Sequence, residues 1–219
     1  MTEKISCKAI VFDFDGTLAD SMPFLESIGV EMMMKYFGVS KEEATSRYRM
    51  TTGLPYEQQV KMNFDDDVRN EQAIEEFEYL KIERIFEQKL FHDAEATVKE
   101  ILEMGIDVFV SSSTFQPTIE EYFRRLGILH LFKAILGYRP GFEKGADHFK
   151  HIHENFNVPF DKMVFVGDSL KDFERSKGFC SFLALSRMFT ADDFKNLGYK
   201  GPVLQHLSDV IENIVVSQN

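Results

Sequence analysis

The chain alternates between two patterns of apolar positions, and each pattern predicts a different secondary structure. Short, mainly apolar runs predict strands buried on both faces, whereas apolar residues three or four apart predict helices with one buried face. The predicted strands cover residues 9–12, 106–110, 132–138, 163–166 and 182–185. Strands of this kind joined by helical segments predict an α/β protein.

A long stretch without any strand pattern separates the first predicted strand from the second. The signals for helix starts and stops in this stretch are Pro23, Gly38, Ser40 and Pro55. A fourth, longer helix is indicated by Ile74, Phe77, Leu80 and Ile85. We therefore predict a small helical bundle over residues 22–90, inserted into a core that is formed by residues 1–21 and 91–219.

The second half of the chain places helices between its strands. The apolar spacing predicts helices over residues 95–104, 117–126, 192–197 and 208–216. The helix that begins at Pro117 is expected to bury one face, which is formed by Ile119, Tyr122, Phe123 and Leu126. Strand and helix therefore alternate nearly to the end of the chain.

Composition and charge narrow the class of protein. Acidic residues outnumber basic ones by 36 to 25, for a net charge of −11, which argues against nucleic acid as a partner because such domains usually carry a basic stripe. No run approaches the roughly 20 apolar residues of a membrane span, and the N-terminus lacks a secretory pattern, so we expect no membrane partner and a cytoplasmic location. The 22 phenylalanines suggest an aromatic-rich core. Cys7 and Cys180 lack metal-ligand spacing, so reduced, buried thiols are expected.

The strongest candidate for chemistry follows the first predicted strand. Asp13 and Asp15 are two residues apart, so their carboxylates project to the same side of an extended chain. Their repulsion is relieved by a bridging cation or by a proton on one of them, which suits metal binding or a nucleophile beside an acid–base group. Gly16 permits a turn, and Thr17 adds a hydroxyl and backbone N–H groups suited to phosphate. Taken alone, Asp-x-Asp-Gly predicts only an Asx turn at a strand end.

The longer sequence AIVFDFDGTLADS, residues 9–21, resembles the nucleophile motif of the haloacid dehalogenase-like hydrolases, a superfamily made up mostly of phosphatases. The resemblance implies a Rossmann-like parallel sheet flanked by helices, with the active site outside the carboxyl ends of the strands. It also implies that the helical insert is a cap, which excludes water and favours a small phosphorylated metabolite as the substrate.

Two phosphate-binding motifs of the family have counterparts in the expected order. Ser111 follows the second predicted strand, where the family has a Ser or Thr, and Ser112 stands where many members have Asn. Lys144 is the best match to the motif lysine, although the usual proline after it is absent. Arg139 and Lys150 therefore compete for that role.

The last motif is similar to the family's magnesium-binding sequence. Gly167 and Asp168 follow a predicted strand, and Asp172 comes four residues after Asp168. If Asp172 begins a helix, the two carboxylates point inward together.

The resemblance implies hydrolysis of a small-molecule phosphate monoester through an aspartyl-phosphate, with Mg²⁺ as the cofactor. Asp13 is then the nucleophile, and Asp15 acts first as a general acid and then as a general base. The metal contacts would be Asp13, the backbone carbonyl of Asp15, Asp168 and Asp172. The phosphate contacts would be Thr17, Ser111, Ser112 and Lys144, and the cap contacts would be Arg49, Thr51 and Thr52.

Several alternatives remain open at this stage. A phosphomutase similar to β-phosphoglucomutase keeps both motif acids and a helical cap. A phospho-switch and a ligand-binding protein on the same scaffold are further hypotheses, which the cap and the intact acids disfavour. A dehalogenase or a phosphonate hydrolase is disfavoured by Asp15. The sequence leaves the substrate open among phosphoglycolate, sugar phosphates and nucleoside monophosphates, and is compatible with a monomer or a homodimer.

Two other clusters of potential ligands are expected to be solvated. His148, His151 and His153 do not share one helix face and lack a His-Glu-x-x-His pattern, so we interpret them as exposed histidines rather than a metal site. The run from Asp65 to Asp67 lacks the spacing of a calcium loop, and a solvated loop is expected.

Overall fold

The computed structural model describes residues 4–217. Over that range the chain forms ten α-helices and eight strands. In chain order they are β1 (Ile5–Cys7), β2 (Ala9–Asp13), α1 (Met22–Phe37), α2 (Lys41–Met50), α3 (Tyr56–Asn63), α4 (Asn70–Arg84), α5 (Ala94–Glu103), β3 (Asp107–Phe115), α6 (Gln116–Arg125), β4 (Ala134–Tyr138), α7 (Ala146–Phe156), β5 (Met163–Gly167), α8 (Leu170–Ser176), β6 (Ser181–Leu185), α9 (Ala191–Asn196), β7 (Val203–Leu204), α10 (Asp209–Asn213) and β8 (Ile214–Val216).

The chain divides into two compact units, with boundaries after Ala19 and after Lys89. The first unit contains residues 4–19 and 90–217, and the second contains residues 20–89. The two connecting segments are paired where they leave the first unit, because Phe91 N–H donates to the Leu18 carbonyl and Ala19 forms an antiparallel bridge with Leu90.

The first unit is built on a six-stranded parallel sheet with the strand order β4-β3-β2-β5-β6-β7. Strands β2 and β5 are buried along their whole length, because each has a neighbour on both sides and helices cover both faces of such a sheet. Strands β1 and β8 form a separate parallel pair. The predicted α/β class with a Rossmann-like parallel sheet is confirmed, as are the five predicted strands.

The structure corrects two predicted boundaries. The second predicted strand does not end at Val110, because β3 continues through the serines to Phe115. The predicted helix over residues 208–216 stops at Asn213, and its last three residues form β8 instead. The branched side chains of Ile214 and Val215 favour a strand, and the Ser217 N–H donates to the Cys7 carbonyl beside it.

The pairing of β3 with β4 is irregular near the carboxyl end of β3. Its register with β4 shifts between Ser111 and Phe115. The side chain of Gln116 fills the gap in the ladder, since its amide donates to the Ile135 carbonyl at 2.7 Å and accepts from the Gly137 N–H at 2.6 Å. A Cβ atom on Gly137 would come within 2.6 Å of Gln116 Cα, so this close approach requires glycine.

The core is rich in aromatic rings, as predicted. The largest fully buried side chains include Tyr122, Phe12, Phe14, Phe109, Phe123, Phe149, Phe165 and Phe194. Phe14 meets Tyr122 edge to face with ring centroids 4.8 Å apart, a geometry that suits the quadrupoles of the rings. Leu126 was expected in this core but is 45% exposed, because α6 ends at Arg125 and the next residues turn away.

The second unit contains α1 to α4, which confirms the predicted helices. Helix α1 ends at Phe37 and is followed by Gly38, which adopts a left-handed φ of 69°. Helix α2 begins after Ser40, whose hydroxyl accepts from the Glu43 N–H. Rings of Tyr56 and Phe77 stack at 3.8 Å between α3 and α4. Asp65 and Asp66 are exposed, as expected of a solvated loop.

No helix among residues 4–217 combines the length and the apolar character that crossing a membrane requires. Cys7 and Cys180 are both free thiols. Cys7 is buried as predicted, whereas Cys180 is only half-buried.

Candidate active site

Buried polar side chains meet at the carboxyl ends of the central strands. Asp13 is the last residue of β2, and its partner in the ladder to β3 is Ser111. Asp168 directly follows β5, which lies on the other side of β2. Because parallel strands end at the same edge of a sheet, three separate segments bring polar groups to one place.

Lys144 is the cation of this cluster. It precedes α7, and its Nζ lies 2.6 Å from Asp13 Oδ1 and 2.6 Å from Asp172 Oδ1. Its side chain is only 6% exposed, so the ion pairs are shielded from water. Burial alone would lower the pKa of Lys144, but the charges of Asp13 and Asp172 outweigh it and raise the pKa. The competing Arg139 instead stacks on the ring of Phe142 at 3.8 Å.

Gly145 follows Lys144 at the position where the family usually has proline. Gly145 has a φ of 109°, a value that proline cannot adopt because its ring fixes φ near −65°. A Cβ atom at Gly145 would also lie 3.1 Å from the side chain of Arg175. The backbone conformation that this chain has after Lys144 is therefore one that glycine can adopt and proline cannot.

Three carboxylates form a group that fits a divalent cation. Oxygen atoms of Asp13, Asp168 and Asp172 all lie within 4.8 Å of one another, and all three residues are buried. Burial, which the attraction of Lys144 only partly offsets and the repulsion of Asp172 reinforces, raises the pKa of Asp13 to about 7. Burial and the charge of Asp13 also raise the pKa of Asp168. A set of oxygen ligands with excess negative charge is the donor set that Mg²⁺ prefers.

Asp172 is fixed more tightly than its two neighbours. Its Oδ2 accepts from the Ser169 N–H at 3.3 Å, and the Ser169 hydroxyl accepts from the Asp172 N–H at 3.1 Å, which is a capping box at the start of α8. The same Oδ2 also accepts from the Ser169 hydroxyl at 2.7 Å. Burial would raise the pKa of Asp172, but Lys144 and Arg175 prevail and lower it. Gly167 is needed beside it, since a Cβ atom there would come within 2.8 Å of the Asp172 side chain.

The turn after β2 presents Asp15 and Thr17. Gly16 has a φ of 80°, and its N–H donates to the Ala19 carbonyl, which closes the turn. The Thr17 hydroxyl lies 3.4 Å from Asp13 Oδ2 and 3.5 Å from Asp168 Oδ1, so Thr17 belongs to the carboxylate cluster. Asp15 is half-buried, and its Oδ2 accepts from the Thr114 hydroxyl at 3.1 Å.

The two serines of β3 have different partners. Ser111 Oγ lies 2.8 Å from His148 Nδ1, and Ser112 Oγ accepts from the Thr114 N–H at 3.0 Å. Both serines are fully buried. The prediction that His148 is solvated is wrong, because its side chain packs between α7 and the sheet and burial lowers its pKa to about 3.

The predicted cap contacts lie in the helical unit, and their contacts there are structural. Arg49 forms two hydrogen bonds to Glu26, at 2.8 and 2.7 Å. The hydroxyls of Thr51 and Thr52 both donate to the Tyr48 carbonyl at the end of α2. A substrate role for these three residues stays a prediction.

Sequence reasoning missed Thr114, Arg175 and His148 as neighbours of the site. The alternation of β3 supplies a signal for Thr114, since residues 112 and 114 share a face if the strand continues past Val110. Arg175 follows Asp172 by three residues in α8, which is the spacing of a helical ion pair, and the two side chains lie 3.6 Å apart. His148 has no comparable signal, because its burial depends on how α7 packs.

Comparisons with known proteins agree with this geometry. A family model described as haloacid dehalogenase-like hydrolase matches residues 10–179. No curated protein matches the sequence at a significant level.

Solved structures share the fold at low sequence identity. A hydrolase of the haloacid dehalogenase-like family from Streptococcus pneumoniae has a TM-score of 0.80 and 22% identity, covering 94% of this chain and 97% of that one. A predicted phosphoglycolate phosphatase from Haemophilus somnus has a TM-score of 0.72 and 17% identity, covering 94% and 97%. CbbY from Rhodobacter sphaeroides, in complex with phosphate, has a TM-score of 0.72 and 19% identity, covering 93% and 96%.

The family model covers most of the chain and includes every segment that contributes to the buried cluster. The parallel sheet brings these segments together at one edge, with β2 between β3 and β5. On both grounds, the chain belongs to the haloacid dehalogenase-like hydrolase family.

Proposed function

We propose that this hydrolase is a magnesium-dependent phosphatase that cleaves a phosphate monoester of a small molecule through an aspartyl-phosphate. The observation that carries the proposal is the buried Asp13 carboxylate, which lies between Lys144 and the oxygen cluster of Asp168 and Thr17. A buried anion surrounded by one cation and by further carboxylates suits a nucleophile that works beside a metal ion.

In the first step, a carboxylate oxygen of Asp13 attacks phosphorus while the bond from phosphorus to the leaving oxygen breaks. Asp15 protonates the leaving oxygen, which departs as an alcohol. The turn at Gly16 gives Asp15 an orientation different from that of the strand residues, and Thr114 holds its carboxylate. This hydrogen bond positions the acid for the proton transfer.

In the second step, Asp15 removes a proton from water, and the resulting hydroxide attacks phosphorus. The bond to Asp13 breaks, phosphate leaves and the Asp13 carboxylate is restored. Lys144 and the hydroxyl groups of Thr17, Ser111 and Ser112 would hold the phosphoryl oxygens in both steps. A bound Mg²⁺, which Asp13, Asp168, Asp172 and the Asp15 carbonyl would hold, supplies positive charge against the phosphoryl oxygens.

The proposal also covers the class of substrate and the cellular location. The family resemblance gives the helical unit the role of a cap, and a capped phosphatase favours a small phosphorylated metabolite over a macromolecule. The structural neighbour described as a predicted phosphoglycolate phosphatase supports a search that begins with phosphoglycolate and sugar phosphates. Two free thiols suit the reducing cytoplasm that we propose as its location.

Phosphate release from a panel of small phosphomonoesters tests the proposal. We expect turnover of at least one compound with Mg²⁺, little without it, and none in the Asp13→Asn variant. The matched control is Asp161→Asn, because that side chain is 77% exposed and lies outside the cluster. Release that survives in Asp13→Asn would rule out the covalent step, whereas isomerised product without phosphate release would identify a phosphomutase.

A further inference from the structure

The buried imidazole of His148 has no assigned role in the proposed reaction, although it lies beside the site. His148 and Ser111 are both fully buried, with Nδ1 and Oγ 2.8 Å apart. Ser111 is the ladder partner of Asp13, and paired residues on adjacent strands project to the same face of a sheet. His148 therefore reaches the face that carries the proposed nucleophile, one strand away from it.

The segment that leads into α7 contacts both Asp13 and Ser111, which are paired between β2 and β3. Lys144 stands just before the helix and contacts Asp13, whereas His148 lies in the first turn and contacts Ser111. Gly145, with its φ of 109°, separates the two residues, so Lys144 is placed by the loop and His148 by the helix. The same stretch of chain thus fixes the position of a carboxylate and of a hydroxyl at neighbouring strand ends.

The protonation state of His148 decides what Ser111 can do. Burial keeps the imidazole neutral at neutral pH, and a neutral imidazole has one N–H and one acceptor nitrogen. Nδ1 lies 2.8 Å from Ser111 Oγ. Nε2 is buried without a well-aligned hydrogen-bond partner among the described residues, although the Gly137 backbone is close enough to raise the pKa of the ring. A buried N–H without an acceptor costs about 1–3 kcal/mol, so a proton on Nδ1 is favoured.

We propose that His148 is a positioning residue that acts through Ser111. Its Nδ1–H donates to Ser111 Oγ, which leaves the hydroxyl hydrogen of Ser111 for an oxygen of the phosphoryl group bound at Asp13. In the opposite arrangement the Ser111 hydroxyl donates its hydrogen to Nδ1, and none is left to donate to the phosphoryl group. The inference rests on the proposed function, because it assumes that Ser111 holds the phosphoryl group.

The tautomer of His148 is measurable without any turnover. Long-range ¹H–¹⁵N correlation spectra of the intact, histidine-labelled protein distinguish a protonated Nδ1 from a protonated Nε2, and the His148→Asn spectrum assigns the signal. We expect a proton on Nδ1 in the wild-type protein. A proton on Nε2, which would direct that N–H toward the Gly137 backbone, would overturn the proposal.

Variants test whether His148 acts through Ser111. With the best substrate of the panel, we expect Ser111→Ala and His148→Leu each to lower kcat by about tenfold with little change in KM. The double variant should be no slower than either single one, because both changes remove the same oriented donor. His148→Asn keeps an N–H near the Nδ1 position and should recover much of the activity. His151→Leu, in the same helix, is the control.

Two outcomes of the variant series would contradict the inference. If the losses multiply in the double variant, His148 does not work through Ser111. If His148→Asn is as slow as His148→Leu while both unfold at the wild-type temperature, the N–H is irrelevant. Should no phosphomonoester be turned over at all, the proposed function fails, yet the tautomer measurement still tests the donor assignment separately.

Discussion

Among the side chains of the site, Asp13 and Asp168 have raised pKa values because burial and neighbouring carboxylates penalise their charge. Lys144 provides one positive charge that Asp13 shares with Asp172. The described cluster therefore contains more negative than positive groups once all three carboxylates ionise. This imbalance makes the stability of the metal-free protein depend on pH.

The pKa of Asp13 predicts the sign of that dependence. The folded-state pKa is about 7, whereas an unfolded Asp has a pKa of roughly 3.9. Proton binding to Asp13 thus adds to the free energy of unfolding. This contribution is complete below about pH 4 and is lost as the pH rises through 7. We expect Asp13→Asn to melt above the wild type in EDTA, by a margin that grows from pH 5 to pH 8. A constant margin in thermal unfolding, or one equal to that of Asp161→Asn, would contradict this.

Binding of Mg²⁺ should offset the loss of stability that the ionised carboxylates cause. A cation that binds only the folded state stabilises it by about 2.7 kcal/mol at 100 times its dissociation constant. We expect Mg²⁺ to raise the Tm of the wild type at pH 7.5 and to have much less effect on Asp168→Asn, which lacks one of the clustered carboxylates. An equal rise in both proteins would place the bound ion elsewhere.

The motif residues of the site could be predicted from the sequence because their spacing reflects the strand ends. Asp13, Lys144 and Asp168 come together in space as the motif order implied. The contact of His148 could not be predicted, because it depends on the packing of α7. The alternation of β3 indicates Thr114 only once the strand is known to continue past Val110. Sequence periodicity describes one element at a time and does not specify contacts between elements.

At the scale of elements, the prediction of a strand is correct where every residue of the run is apolar. Strand β2 is buried at every position, and its sequence alone indicates this. The serines of β3 have weak strand propensity, yet β2 and β4 on both sides supply their hydrogen bonds as far as Ser111. The branched residues of β8 favour a strand, but the local sequence does not show that β1 is its partner.

Gln116 is expected to stabilise the irregular end of β3. Replacing it with Ala leaves the Ile135 carbonyl and the Gly137 N–H without their partner, which costs about 1–3 kcal/mol. We expect Gln116→Ala to lower the urea midpoint accordingly. Gln72→Ala, at an exposed position of α4, is the control and should change stability by less than about 0.5 kcal/mol. Equal midpoints for the two variants would show that water replaces the side chain.

At the scale of the whole molecule, the division into two units has a testable consequence. The connecting segments are already paired at Leu18 and Phe91, so the first unit does not need the insert to bring them together. We expect a chain in which residues 20–89 are replaced by a short glycine linker to fold cooperatively. Urea unfolding followed by circular dichroism would show one transition. A gradual, non-cooperative loss of signal would show that the core depends on the helical unit.

The paired connecting segments also bear on the order in which the chain folds during synthesis. Strand β2 is central in the sheet, but β3 begins only at Asp107 and β5 at Met163. The nascent N-terminal segment must therefore wait while the ribosome makes the helical unit, whose contacts are local and form quickly. Once that unit has folded, its ends are held together and the loop between β2 and β3 is about fourfold shorter. This shortening lowers the entropy cost of closing the loop by about 1 kcal/mol, so the insert assists the central strand in finding its neighbour.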